Sequence, residues 1–266
     1  MGSEHDYRVV EYYRKVAESY DEEYSGAFWK EIYDKITWRY IEPYLPADGV
    51  VLDAGGGTGK WAIPIAKKGL KVMIYDISED MLKIAVRKVE EEGLRERITV
   101  KVGNICNMDL PNESFDFVLA EGDPLSYCGD PDKAVSEFHR ILKPKCFVVA
   151  GVDNAYTAIR SAIIHQQDTA SALKVLRGKR YYSEQCGFHW WTFTPKDLKQ
   201  LFEKNGFNVV KIVGKPVLYI YHHDKVQEML KDSEKAEQIL NLELALCEDP
   251  SIVGCGGHLH IVARKE

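Results

Sequence analysis

Val50-Val51-Leu52 leads into Asp53-Ala54-Gly55-Gly56-Gly57-Thr58-Gly59-Lys60-Trp61, and an apolar pattern at helical spacing follows. An acidic strand tip, a glycine-rich turn and a helix, in that order, describe a ligand-binding turn of an open α/β sheet. The spacing of the glycines separates the ligands. A phosphate-cradling loop needs G-x-x-x-x-G-K-[ST], whose lysine reaches the outer phosphates and whose hydroxyl holds magnesium. Counting back from Gly59-Lys60 puts Ala54 at the required glycine and Trp61 at the hydroxyl, so that loop fails at two positions. A dinucleotide turn, G-x-G-x-x-G, needs its third glycine at 60, where Lys60 stands. What remains is an acid followed by glycine at every second position, D-x-G-x-G-x-G, with Lys60 expected as an exposed first-turn residue of the helix.

From 50 to 152, short β-branched runs alternate with amphipathic helical patterns, which predicts a parallel sheet with crossover helices. The predicted strands are 50–53, 71–76, 98–102, 115–120 and 146–152, and the predicted helices are 59–68, 78–92 and 131–142. Ser78 and Gly93 are the expected start and stop of the second helix. A helix over about 195–205, opened by Thr194-Pro195, and apolar runs at 207–220 and 258–263 complete a seven-stranded α/β reading. Three segments break the alternation: 6–45, read as two helices rich in aromatics; 153–193; and 221–256, read mainly as one helix from about 223 to 247. Ligands of open α/β sheets bind beyond the carboxyl ends of the strands, and insertions there build lids. The expected organisation is one domain over 1–266, with a helical cap at 6–45, a cofactor-binding core at 46–152 and lid insertions at 153–193 and 221–256.

A second acid answers the first. Val72-Met73-Ile74-Tyr75-Asp76 is an apolar strand ending 23 positions after Asp53, where a carboxylate can accept both hydroxyls of a ribose. Asp76-Ile77-Ser78-Glu79-Asp80-Met81-Leu82 follows it, then Gly103-Asn104-Ile105-Cys106 after the third strand and Leu110-Pro111 with Phe115-Asp116-Phe117-Val118 into the fourth. Leu142-Lys143-Pro144 precedes the fifth strand, and Phe193-Thr194-Pro195 with Leu198, Leu201 and Gly206-Phe207 comes later. In this order the motifs resemble those of the class I S-adenosylmethionine-dependent methyltransferases, closely over 50–152 and in part over 193–212; Lys145-Cys146 departs from the family's paired glycines.

The resemblance implies a Rossmann-like, doubly wound, seven-stranded sheet, mostly parallel with its last strand antiparallel. S-adenosyl-L-methionine is the implied cofactor and S-adenosyl-L-homocysteine its product. Gly55, Gly57 and Gly59 would let the backbone approach a ligand that brings no phosphate, while Asp53 serves the loop or the ligand's amino group. Asp76 would take the ribose, Ile77 and Met81 the adenine face, and Asn104 with Ile105 the adenine edge, the Asn104 amide oxygen accepting from the amino group. The backbone at Glu121 would hold the methionine amino group. Near the N-terminus, Tyr12-Tyr13, Ala17 and Tyr20-Asp21 are similar to the opening of small-molecule methyltransferases of quinone biosynthesis and glycine N-methylation. There Tyr20, or Tyr24 one turn later, would close over the cofactor's methionine end, where an aromatic face favours a sulfonium. Tyr12 and Tyr13 are expected to pack the helix on the sheet.

Candidates for the acceptor side come from Glu121-Gly122-Asp123-Pro124-Leu125-Ser126-Tyr127 and Cys186-Gly187-Phe188-His189-Trp190-Trp191. Asp123 is read as a proton acceptor or an anchor for a cationic acceptor, or as a cap of the following turn. Tyr127 could stack on a flat substrate, although Leu125 and one extra residue break the [DN]-P-P-[YF] pattern of amino-methyltransferases. His189 has the reference pKa of a general base. His222-His223 and His258-x-His260 raise a metal question, but no CxxC, HExxH or third spaced ligand accompanies them, so no metal is expected and 258 and 260 read as parts of the last strand.

The chain has 266 residues, 45% apolar and 29% charged, enough for one large α/β domain. A formal charge of −6 argues against nucleic acid as the main partner. No run approaches a membrane span, MGSEHDYRVV has no apolar signal core, and the six cysteines form no framework, so cytoplasmic reduced thiols are expected. The leading expectation is methyl transfer to a small-molecule acceptor at O, N, C or S. A protein or RNA methyltransferase, and a non-catalytic protein binding S-adenosylmethionine or S-adenosylhomocysteine, are the alternatives.

Overall fold

The computed structural model describes residues 3–24, 28–218, 220 and 223–266, and the side chains of all of these except 23, 24, 28 and 29. Its strands are β1 (Val50–Ala54), β2 (Lys71–Asp76), β3 (Ile98–Val102), β4 (Phe115–Ala120), β5 (Leu142–Asp153), β6 (Arg180–Ser183), β7 (Phe188–Trp191), β8 (Phe207–Lys215) and β9 (His258–Lys265). Seven of them form one sheet in the order β3-β2-β1-β4-β5-β9-β8, while β6 and β7 make a separate hairpin. Neighbours from β3 to β5 run parallel, and β9 runs antiparallel to both β5 and β8.

The helices are α1 (Glu4–Val16), α2 (Tyr20–Tyr24), α3 (Phe28–Ile41), α4 (Ala62–Lys67), α5 (Glu79–Glu91), α6 (Pro124–Tyr127), α7 (Pro131–Ile141), α8 (Ala155–Ile164), α9 (Thr169–Gly178), α10 (Pro195–Lys204), α11 (Asp224–Met229) and α12 (Ser233–Leu246). Their starts are chemically marked. Ser78 accepts from the Met81 N–H at the head of α5, Asp130 from Asp132 and Lys133 at α7, and Thr194 with Asp197 closes a capping box at α10.

The sheet is buried on both faces, as a parallel sheet must be. Two-residue alternation along β4 sends Phe117 and Leu119 to a layer with Ile36, Ile65 and Leu82, and Val118 and Ala120 to a layer with Phe138, Leu198 and Phe202. All seven expected strands form. Several boundaries differ. Among the described residues the segment 6–45 holds three α-helices, the helix predicted over 59–68 runs only from Ala62 to Lys67 so that Lys60 precedes its first turn, the strand predicted over 146–152 begins at Leu142, the strand predicted over 207–220 stops at Lys215, and the helix predicted over 223–247 is split into α11 and α12. Pro216 has no N–H to continue the β8 ladder, and the Asp232 carboxylate accepts from the Glu234 and Lys235 N–H groups, starting a new helix. Among the described residues no helix is long and apolar enough to cross a membrane.

Candidate active site

The carboxyl ends of β1, β2 and β4 open into a cleft whose empty space, its part open to solvent included, is about 860 Å³. One wall is the glycine turn. Gly55, Gly57 and Gly59 adopt φ of +75°, +49° and +78°, left-handed values that side chains other than glycine's rarely tolerate, which explains the every-second-residue rhythm. Gly55 and Gly57 line the cleft: a Cβ on Gly55 would strike Pro124, and one on Gly57 would lie 3.2 Å from Met81 Cε. Gly59 serves packing, since its Cβ would sit 3.1 Å from Ile74 Cδ1.

Asp53 lies fully buried under the turn. Burial, with Asp76 nearby, pushes its carboxyl up to about 7. Asp76 braces the turn from β2: one oxygen accepts from the Gly57 N–H at 2.9 Å and the other from the Ser78 N–H at 2.8 Å. Burial raises its pKa and these N–H donors oppose the rise. Ile77, Met81, Asn104 and Ile105 complete this end, and the Asn104 amide oxygen also accepts from the Cys106 N–H at 2.8 Å.

The other end is aromatic. Asp6, Val9 and Tyr13 of α1 and Tyr20 of α2 lie along the cleft with Trp61 and Tyr127. Tyr13 touches both Tyr20 and Tyr127, with ring centres 6.1 and 6.4 Å apart, and Tyr127 leans on Phe188 and Trp190 of the hairpin at 6.0 and 5.6 Å. Polar ties hold this cover. The Asp21 carboxylate accepts from Thr58 of the glycine turn at 2.8 Å and pairs with Lys88 of α5 at 2.9 Å, and Arg87 pairs with Glu18 at 2.7 Å.

Behind the cleft floor, strand register builds a buried polar cluster. On β9, His258 stands opposite Asp153 of β5 and Lys215 of β8, and His260 stands opposite Gly151, whose missing Cβ leaves room for the Glu121 carboxylate. Glu121 meets Lys215 Nζ at 2.7 Å and His260 Nδ1 at 2.7 Å, and Lys215 also donates to Thr37 at 2.9 Å and lies over the Tyr33 ring. Burial alone would raise the Glu121 pKa, but the Lys215 charge and His260 outweigh it and hold the carboxyl near 2. Asp123, at φ +65°, places Oδ2 3.4 Å from His258 Nε2, with Asp153 Oδ1 4.0 Å from the same nitrogen. Burial raises both aspartates, and for Asp153 the neighbouring Asp123 adds to the rise.

Tyr20, Gly55, Gly57, Asp76, Ile77, Met81, Asn104, Ile105, Glu121 and Tyr127 thus share one cleft, with Asp53 and Gly59 beneath it and Asp123 in the cluster behind. His189 lies elsewhere. Alternation along β7 turns Phe188 and Trp190 inward and leaves His189 exposed against Tyr182. Tyr24 closes α2, but its side chain lies outside the described residues, as does His222. Lys60 is not simply a solvated residue, since it pairs with Asp34 of α3 at 2.6 Å and borders the cleft. Among the described residues lining the cleft, none comes from 153–193 or 221–256. The hairpin reaches it through Tyr127, and α12 instead braces the fold, its Glu243 accepting from the Val217 and Leu218 N–H groups. Sequence reading missed Tyr13 and Trp61 in the wall and Tyr33, Lys215, His258 and His260 behind it. The 258/260 alternation was the available signal for the last pair. Among the described residues no group of three His, Cys, Asp or Glu could hold a metal ion.

A methyltransferase domain model matches residues 51–145, the glycine turn through the start of β5. The tRNA 5-carboxymethoxyuridine methyltransferase of Escherichia coli is 24% identical over 261 residues, 94% of each chain. The demethylmenaquinone methyltransferase of Staphylococcus haemolyticus is 30% identical over 170 residues, covering 60% of this chain and 69% of that one. Among solved structures, a SAM-dependent methyltransferase from Methanosarcina mazei has a TM-score of 0.60 at 20% identity, covering 85% of this chain and 96% of that one. The chain belongs to the class I S-adenosylmethionine-dependent methyltransferases. It is an enzyme whose methyl donor is S-adenosylmethionine, and the cleft fits that donor: Cβ-free glycines along one wall, a braced carboxylate at a strand tip and aromatic rings at the far end.

Proposed function

We propose that the enzyme methylates a small molecule, and that the carrying observation is the cover of α1 and α2 laid along the cleft and tied to the glycine turn through Asp21. A free metabolite can enter such an enclosure whole, whereas a folded macromolecule must deliver its acceptor on an extruded group. The donor supplies an electrophilic methyl on a sulfonium when bound. In this reading Asp76 takes the ribose, Ile77 and Met81 flank the adenine, Asn104 and Ile105 meet its edge, and Gly55, Gly57 and the Glu121 backbone receive the amino-acid end. Tyr20 covers that end and favours positive charge at its ring face. Tyr127 and Asp123 receive the acceptor, and no covalent intermediate on the protein is needed. The residues' task is alignment and exclusion of water.

A second reading, an RNA acceptor, is favoured by the full-length similarity to the E. coli tRNA methyltransferase; the formal charge of −6 weighs against it. Incubation of the full chain with methyl-labelled S-adenosylmethionine and either a metabolite extract or bulk tRNA separates the two. Label in low-mass products is expected, and label confined to RNA would overturn the proposal.

A further inference from the structure

Resting on the small-molecule reading, we infer that the acceptor atom is an amine nitrogen, held as an ammonium by Asp123 and Asp153 before transfer. The charges behind the cleft do not cancel. Glu121 takes Lys215 as its partner at 2.7 Å, and His260 completes that group. This leaves one imidazole, His258, facing two carboxylates at 3.4 and 4.0 Å. With both aspartates ionised, a protonated His258 would leave one negative charge over and a neutral His258 two, and burial without a further cation pushes both carboxyls toward their protonated forms.

Hydrogen bonding is also incomplete. Among the described residues, Asp123 Oδ1 and Asp153 Oδ2 are buried with no partner, and Asp123 is only 6% exposed. Buried carboxylate oxygens without donors are costly, so such a pair is retained where a ligand completes it. The ordinary structural role for Asp123 is also missing. It stands at the N-cap of α6, yet its side chain makes no cap hydrogen bond and turns to His258 instead. Gly122 and Pro124 on either side of it line the cleft, as does Tyr127, whose hydroxyl is bound to Asp153. The acid pair therefore adjoins the aromatic end of the cleft.

An ammonium supplies what this cluster lacks, a positive charge and N–H donors for both open oxygens. A carboxylate acceptor would add a third negative charge, and an alcohol would bring no charge. For transfer, the ammonium passes one proton to Asp123, with His258 beside it to relay that proton to solvent. The freed lone pair then forms the N–C bond as the methyl carbon's bond to sulfur breaks, its electron pair staying on sulfur. The product is a methylated ammonium, and one proton is released per turnover.

The test uses the full chain, methyl-labelled S-adenosylmethionine and a deproteinised metabolite extract. Labelled low-mass products retained on a strong cation exchanger at pH 5 and stable to alkali are expected. Alkali-labile methyl esters or neutral ethers in their place overturn the amine assignment while leaving the small-molecule reading intact, whereas label found only in added tRNA or protein overturns both. In calorimetry with the S-adenosylhomocysteine-loaded chain, Asp123→Asn should bind the amine recovered from that extract at least tenfold more weakly. Its affinity for S-adenosylhomocysteine should stay within twofold, which also reports correct folding. Equal amine affinity in variant and parent overturns the role of Asp123.

Discussion

Asp53 and Asp76 end adjacent parallel strands, and the protein uses the two carboxylates differently. Asp53 is buried beneath the turn and keeps its proton up to about pH 7, against 3.8 in the unfolded chain. The folded state therefore binds more protons between these values, and stability falls as pH rises through that window. Asp53→Asn should lose on the order of 2 kcal/mol less stability than the parent between pH 5 and pH 8 in denaturant titrations. Asp76 instead spends its oxygens on the Gly57 and Ser78 N–H groups. Asp76→Ala should weaken S-adenosylhomocysteine binding by about 2 kcal/mol in calorimetry, since it removes the proposed ribose partner along with the brace of the turn; wild-type affinity would remove the ribose assignment. Both acids were legible in sequence because their meaning is local, an acid at a strand tip beside a glycine rhythm. Lys215 was not, and His258 and His260 were legible only as residues of the last strand. Their partners stand opposite only once β9 has found its register between β5 and β8, information that no short window carries.

At the scale of elements, the cover over the cleft is held by solvent-accessible pairs. Such pairs contribute little to global stability, typically under about 1 kcal/mol each. Their expected effect is instead on how long α1 and α2 stay over the cleft. Asp21→Ala cuts the ties to Thr58 and Lys88 together. It should speed S-adenosylhomocysteine release several-fold in stopped-flow measurements while leaving the unfolding midpoint nearly unchanged. The helices themselves were readable from aromatic periodicity, and the seven strands from alternation and β-branched runs. The hairpin of β6 and β7 was not. Its value lies in presenting Phe188 and Trp190 to Tyr127, and the same alternation carries His189 outward. A histidine among tryptophans looked catalytic in one dimension because the face it would occupy was unknown.

At the scale of the whole molecule, the Glu121–Lys215–His260 group joins β4, β8, β9 and, through Thr37, α3. With both side chains fully buried, removing one partner strands the other's charge. Lys215→Met should cost roughly 3–5 kcal/mol of unfolding free energy, and Glu121→Gln combined with Lys215→Met should recover much of that loss. Additive losses would mean that the two residues stabilise independently.

The antiparallel insertion of β9 makes the two sides of the site unequal in what they depend on. The strand enters between β5 and β8 and carries the two histidines of the polar cluster, so Asp123, Glu121 and Lys215 meet imidazoles only when that register is formed. The glycine turn and its Asp76 brace draw nothing from it. On the proposed reading, fraying of β9 should therefore impair handling of the acceptor before it impairs binding of the donor.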